Sequence, residues 1–72
     1  MARHPGTEHL VEMLNPNPNL PDGLRHIAEK CAELRDQILG ECGDGPELTA
    51  GLRKLLEAKD CFVRQAITDK KG

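Results

Sequence analysis

The chain contains no tryptophan, tyrosine or serine, and Phe62 is its one aromatic residue. Large rings therefore cannot fill its core, and a serine nucleophile is ruled out. Its three cysteines, Cys31, Cys42 and Cys61, form no CxxC pair. An odd count without close pairs reads as reduced thiols in a cytoplasm rather than as a disulfide framework. The opening MARHPGTEHL lacks the apolar stretch of a secretory signal. No apolar run approaches the roughly 18 residues of a membrane span. The formal charge is only −2, with no basic stripe of the kind that grips duplex nucleic acid. Neither membrane insertion nor duplex binding is expected.

What is present is a short, leucine-rich chain of 72 residues. A chain of this size gains roughly 3–5 kcal/mol from a single core and usually needs a staple or a partner. Residues 1–21 form an N-terminal segment punctuated by Pro5, Gly6, Pro16, Pro18 and Pro21. Within it TEHLVEML is long enough for two helical turns, with Thr7 as N-cap and Leu10, Val11 and Leu14 on one side. NPNPN then forbids helix, because a residue before proline is pushed to extended geometry. A rigid, extended connector is expected there.

Residues 22–72 read as an antiparallel helical hairpin. Pro21 and Asp22 suit the start of its first helix. Leu24, Ile27, Cys31, Leu34 and Ile38 recur at spacings of three and four, a narrow seam with Ala28 and Leu39 on its flank. Gly40, Gly43 and Gly45 mark a stop and a tight turn. The second helix starts at Pro46 and Glu47, with Asp44 as a candidate cap. Its apolar residues split into two adjoining stripes. Leu48, Leu55 and Phe62, with Gly51 and Ala58 between, form one; Leu52, Leu56, Val63 and Ile67 form the other.

One neighbouring helix buries one stripe. The second stripe either takes the N-terminal turn folded back upon it, giving a three-helix monomer, or serves as an assembly surface. The expected fold class is all-α: a helical hairpin with a short N-terminal helical turn, building a homo-oligomer.

Chemistry-bearing residues are sparse. His4, His9 and His26 with three thiols do not fall into the close pairs that zinc sites use. Cys31 and Cys61 sit near the seam as small core residues, and Cys42 in the glycine-rich turn is the exposed thiol. No metal, no cofactor and no catalysis are expected. Basic residues carry more information. Arg53, Lys54, Lys59 and Arg64 lie on the second long helix. Arg53 with Glu57 and Asp60 with Arg64 form ion pairs at i,i+4 on the plainer reading. On the sharper one, cations at a junction between subunits hold a phosphate-bearing ligand.

ELTAGLRKLLEAKDCFVRQAI resembles the second helix of a phage-encoded helical-hairpin family. Lys54, Leu55, Glu57, Ala58, Ala66 and Ile67 fall on that pattern. NLPDGLRHIAEKCAELRDQIL resembles the first long helix, introduced by a Leu-Pro step, so the likeness covers about residues 19–68. The family comprises the anti-CBASS sponge proteins and the hairpin part of Thoeris anti-defence proteins.

The resemblance implies a small helical subunit that assembles, typically as a hexamer. It implies a protein without a reaction, acting in the infected bacterial cell. Such proteins sequester the cyclic oligonucleotide second messengers of bacterial defence systems. On that likeness the ligand-binding candidates are Arg25, His26 and Lys30 on the first long helix, with Arg53 and Arg64 on the second. Lys30 and Arg64 lie near family positions that carry a lysine and an arginine. Two departures stand out: Asn17 and Asn19 occupy the region where sponges place a base-stacking tyrosine, and Pro46 replaces an arginine of the turn. The alternative reading is a helical interaction or structural module without a nucleotide ligand.

Overall fold

The computed structural model describes residues 3–71, Lys71 by its backbone alone, so the outermost residues of the two expected segments lie outside it. Three helices follow one another: α1 (Pro5–Met13), α2 (Asp22–Glu41) and α3 (Pro46–Lys71). The all-α expectation holds, and both long helices start where proline and an acidic first-turn residue place them.

α1 settles the fate of the second stripe. It folds back onto α3, and Leu10, Leu14 and Leu52 form the buried cluster, with Leu48, Leu55 and Leu56 packed around it. Thr7 lies beside Thr49 and the carbonyl of Met13 beside Lys59. α1 therefore runs parallel to the first half of α3 and antiparallel to α2. Only that half of the hairpin has three helices. Beyond the end of α1 the body continues as two helices, giving a rod of 45 × 19 × 19 Å. There Ile67 stays 38% exposed.

Docking α1 also turns α2. The expected seam included Ile27, Leu34 and Ile38, whereas the residues actually buried are Leu24, Ala28, Cys31, Ala32 and Arg35. A helix that must meet two neighbours presents the sector between them. Ala28 and Ala32 are small enough to let α3 approach, and Arg35 reaches across to α1. Leu34 is left 45% exposed.

Both ends of α1 are tied to the hairpin. At the start, Asp44 of the α2–α3 turn accepts the backbone N–H of His4 (3.0 Å) and the hydroxyl of Thr7 (3.2 Å). Thr7 also shares a hydroxyl–hydroxyl bond of 2.8 Å with Thr49. The helix begins earlier than expected: His4 is its N-cap, accepting the Gly6 N–H on Nδ1. Thr7, expected to be that cap, is buried instead. Asp44, expected to cap α3, serves the start of α1.

At the far end Arg35 Nη1 donates to the Val11 carbonyl (2.8 Å) and to Asn15 Oδ1 (2.6 Å), while Lys59 Nζ donates to the Met13 carbonyl (3.1 Å). α1 has no basic residue in its own last turn. Cations from α2 and α3 thus meet the negative end of its dipole and its orphan carbonyls.

The connector is not extended throughout. Asn17 folds it into a turn, its side chain accepting the Asn19 N–H (2.9 Å) and its carbonyl the Leu20 N–H (3.1 Å). Chain reversal between antiparallel α1 and α2 requires such a turn, and asparagine is suited to it. At the other turn, α2 runs through Gly40 to Glu41 and ends on Cys42 in extended geometry. Among the described residues no glycine has positive φ, so the glycines do not form the left-handed cap that their positions suggest.

The Asp44 contacts give a pH dependence. The His4 backbone N–H above all holds its carboxyl below the ordinary value of 3.8; desolvation opposes it as the next largest effect, and the Thr7 hydroxyl adds a smaller lowering. A carboxyl whose pKa is lower folded than unfolded stabilises the fold above its unfolded pKa. That contribution is lost as pH falls through the folded value. The urea midpoint of the native chain is therefore expected to drop as pH falls below 3.8. An Asp44→Asn variant should start lower at neutral pH and show a flatter acid limb. Parallel curves for the two proteins would remove Asp44 from this role.

Candidate functional site

The connector turn, α2 and the middle of α3 enclose a cleft of about 540 Å³. Its walls are Asn15, Asn17 and Leu20 of the connector, Ala28 of α2, and Lys59 and Arg64 of α3; Glu12, Met13, Asp60 and Val63 complete it. The cleft exists because the Asn17 turn carries the chain over the point where α1 ends.

Its charges are balanced, two cations and two carboxylates, but the cations are not equivalent. The Lys59 side chain is only 15% exposed. Its ammonium is engaged by the Met13 carbonyl and lies 3.7 Å from Asp60. Arg64 is exposed, and its one recorded side-chain bond is from Nη2 to the sulfur of Cys61 at 3.4 Å. Sulfur is a weak acceptor. Among the described residues Arg64 pairs with no carboxylate, so most of the guanidinium fork is free for an oxyanion.

The ion pairs expected along α3 do not form: Asp60 lies by Lys59, and neither Arg53 with Glu57 nor Asp60 with Arg64 is in contact distance. Cys61 is exposed rather than part of the core, while Cys31 is buried and Cys42 exposed as expected.

The other expected ligand-binding residues lie elsewhere. Arg25 is engaged on its own helix, 2.7 Å from Asp22 and 4.0 Å from Glu29. His26, Lys30 and Arg53 are exposed. Of the five residues, only Arg64 lines the cleft. The sequence marked Lys59 as one of the α3 cations but not among the five ligand-binding candidates, and Asn15 and Asn17 were missed as wall residues. A proline-flanked asparagine repeat that must reverse the chain was the available signal.

Two further concavities flank the hairpin turn. His4, Asp44, Pro46 and Thr49 line one of about 450 Å³. The other, about 410 Å³, is apolar and lies on α2 and α3 around Ile38, Leu48 and Gly51. No cluster of three or more metal-ligating side chains occurs among the described residues, and no helix there is long and apolar enough to cross a membrane.

Comparison of the chain with protein-family models, with curated proteins and with solved structures finds no match. The fold itself defines the class: a three-helix, all-α chain in which a short N-terminal helix is clamped on one half of a longer hairpin.

Proposed function

We propose that the protein is a non-catalytic phage or prophage sponge. It holds cyclic di- or trinucleotide immune messengers in pockets completed between copies of the chain, a hexamer by resemblance, inside the infected bacterial cell. The observation that supports this reading is Arg64: an exposed guanidinium that pairs with no carboxylate among the described residues, on the wall of a cleft roomy enough for a nucleotide unit. A guanidinium fork matches two phosphate oxygens at once, and its plane can also lie against a base. The second property matters here, because the connector offers amides where sponges have a ring. Among the described residues one chain supplies a single free cation to this cleft, and a cyclic dinucleotide carries two phosphates. A symmetric ligand is better served when two copies each contribute one Arg64.

The test is uptake followed by release. Protein is incubated with a panel of cyclic di- and trinucleotides, freed of unbound ligand, heated, and the supernatant identified. Recovery of an intact cyclic nucleotide is the expected result. Linear products would mean an enzyme. No uptake of any panel member would leave the interaction-module reading, which the exposure of Phe62 (56%) favours. Arg64→Ala is expected to lower retention about tenfold or more, the scale of a lost charge-assisted hydrogen bond. Its helical content should not change, since the side chain is exposed. Equal retention by the variant would remove the site.

A further inference from the structure

We propose that the side of the hairpin facing away from α1 receives a second copy of the same chain. The pairing is antiparallel and two-fold, and it seats Phe62 of each copy in the apolar hollow at the hairpin turn of the other. This deepens the assembly part of the reading above and stands apart from its ligand part.

Successive residues of a helix are turned by about 100°. On α3, Gly51, Ala58 and Phe62 consequently lie on the side opposite Thr49, which faces α1. On α2, Ile27, Leu34 and Ile38 form the flank that was left when the helix turned Arg35 toward α1. None of these six residues is charged, and Phe62 and Leu34 are 56% and 45% exposed.

The face carries both a knob and a hole. The knob is Phe62. The hole is the 410 Å³ hollow lined by Ile38, Cys42, Pro46, Leu48 and Gly51. A side-chain atom placed on Gly51 would meet nothing within 4 Å, so the hollow is open at that point. Phe62 and Leu48 are separated by about 21 Å along the helix at its regular rise. A two-fold axis crossing α3 near Leu55, midway between them, carries each Phe62 onto the partner copy's hollow.

That axis fixes the register of α2 as well. Ile38 shares the hollow with Gly51, and Ala28 shares the cleft with Val63. The level of Leu55 on α3 is therefore the level of Leu34 and Arg35 on α2. Two antiparallel copies of α2 centred there bring Lys30 of one within a helical turn of Glu41 of the other, inside the reach of the two side chains. Both side chains are exposed, and among the described residues neither has an ion-pair partner within the chain. Opposite charges meeting twice across the axis set the register, while Phe62 supplies the anchor. One long side of the 45 × 19 × 19 Å body presents on the order of 800 Å², the share that one partner contributes to a standard interface.

Sedimentation equilibrium of the full chain, without nucleotide, tests the contact. Native protein is expected to associate reversibly through this face. Phe62→Ala should raise the dissociation constant about tenfold or more. Lys30→Glu and Glu41→Lys should each weaken association, and the double variant, which restores opposite charges across the axis, should recover most of it. Circular dichroism checks that each variant stays helical; all three positions are exposed. A native chain that remains monomeric at high concentration would overturn the proposal. So would Phe62→Ala assembling like native protein, or a double charge swap as weak as the single changes. Ligand uptake is read separately, so loss of one proposal leaves the other standing.

Discussion

Leu52→Ala is expected to leave a large fraction of the chain unfolded in water at room temperature. Leu52 is 1% exposed and packs with Leu10 and Leu14, its fellow members of the buried cluster. Truncating a buried leucine costs about 2–5 kcal/mol, through lost burial and the cavity left behind. A core of this size supplies roughly 3–5 kcal/mol in total, so one substitution removes most of the margin. No ring is available to fill the gap. Urea denaturation followed by far-ultraviolet circular dichroism should show a midpoint near zero denaturant, or no cooperative transition. Met13→Ala is the control, because Met13 is 48% exposed and lies off the proposed self-association face, so its loss should fall within about 0.5 kcal/mol. Similar curves for the two variants would mean that α1 and α3 do not share this cluster.

The second large effect is expected at Arg35. It is 8% exposed, and its guanidinium bonds two acceptors at the end of α1 and the Asp36 carboxylate (2.9 Å). Arg35→Ala strands the carbonyl of half-buried Val11 and releases the exposed Asn15 amide, at a cost of about 2–3 kcal/mol, chiefly for the lost charge-assisted bonds. Arg35→Lys should rescue little, since an ammonium cannot reproduce a planar fork serving several acceptors. Lys59→Ala removes one more exposed bond to the same helix end and should cost about 1 kcal/mol. The ranking is read from urea midpoints. If Lys59→Ala proved the costlier change, the clamp would lie on α3 rather than α2.

These residues show where sequence reading succeeded and where it stopped. The periodic apolar positions placed α2 and α3, and proline with an acidic neighbour marked both starts. Leu10 and Leu14 were correctly put on one side of a short helix. Periodicity could not say which sector of α2 is buried, because that depends on how many neighbours it has. Arg35 stands four residues after Cys31 and four before Leu39, in phase with the core, yet a charged residue there reads as solvent-facing until an acceptor is known. Thr7 failed as a cap for the complementary reason: its partner Asp44 is remote in sequence. At the cleft, Arg64 was legible as a cation on α3. Asn15 and Asn17 were not legible as its opposite wall, since only chain reversal brings them there.

All of the site rests on α1 and the connector being docked, for without them the cleft has no outer wall. Amide hydrogen exchange of the native chain measures this directly. A nine-residue helix is marginal on its own in water, so any protection in α1 must come from packing. The amides of Leu10 and Leu14 should exchange as slowly as those at the centres of α2 and α3. Fast exchange throughout α1, with the hairpin still protected, would contradict the clamp and remove the cleft along with it.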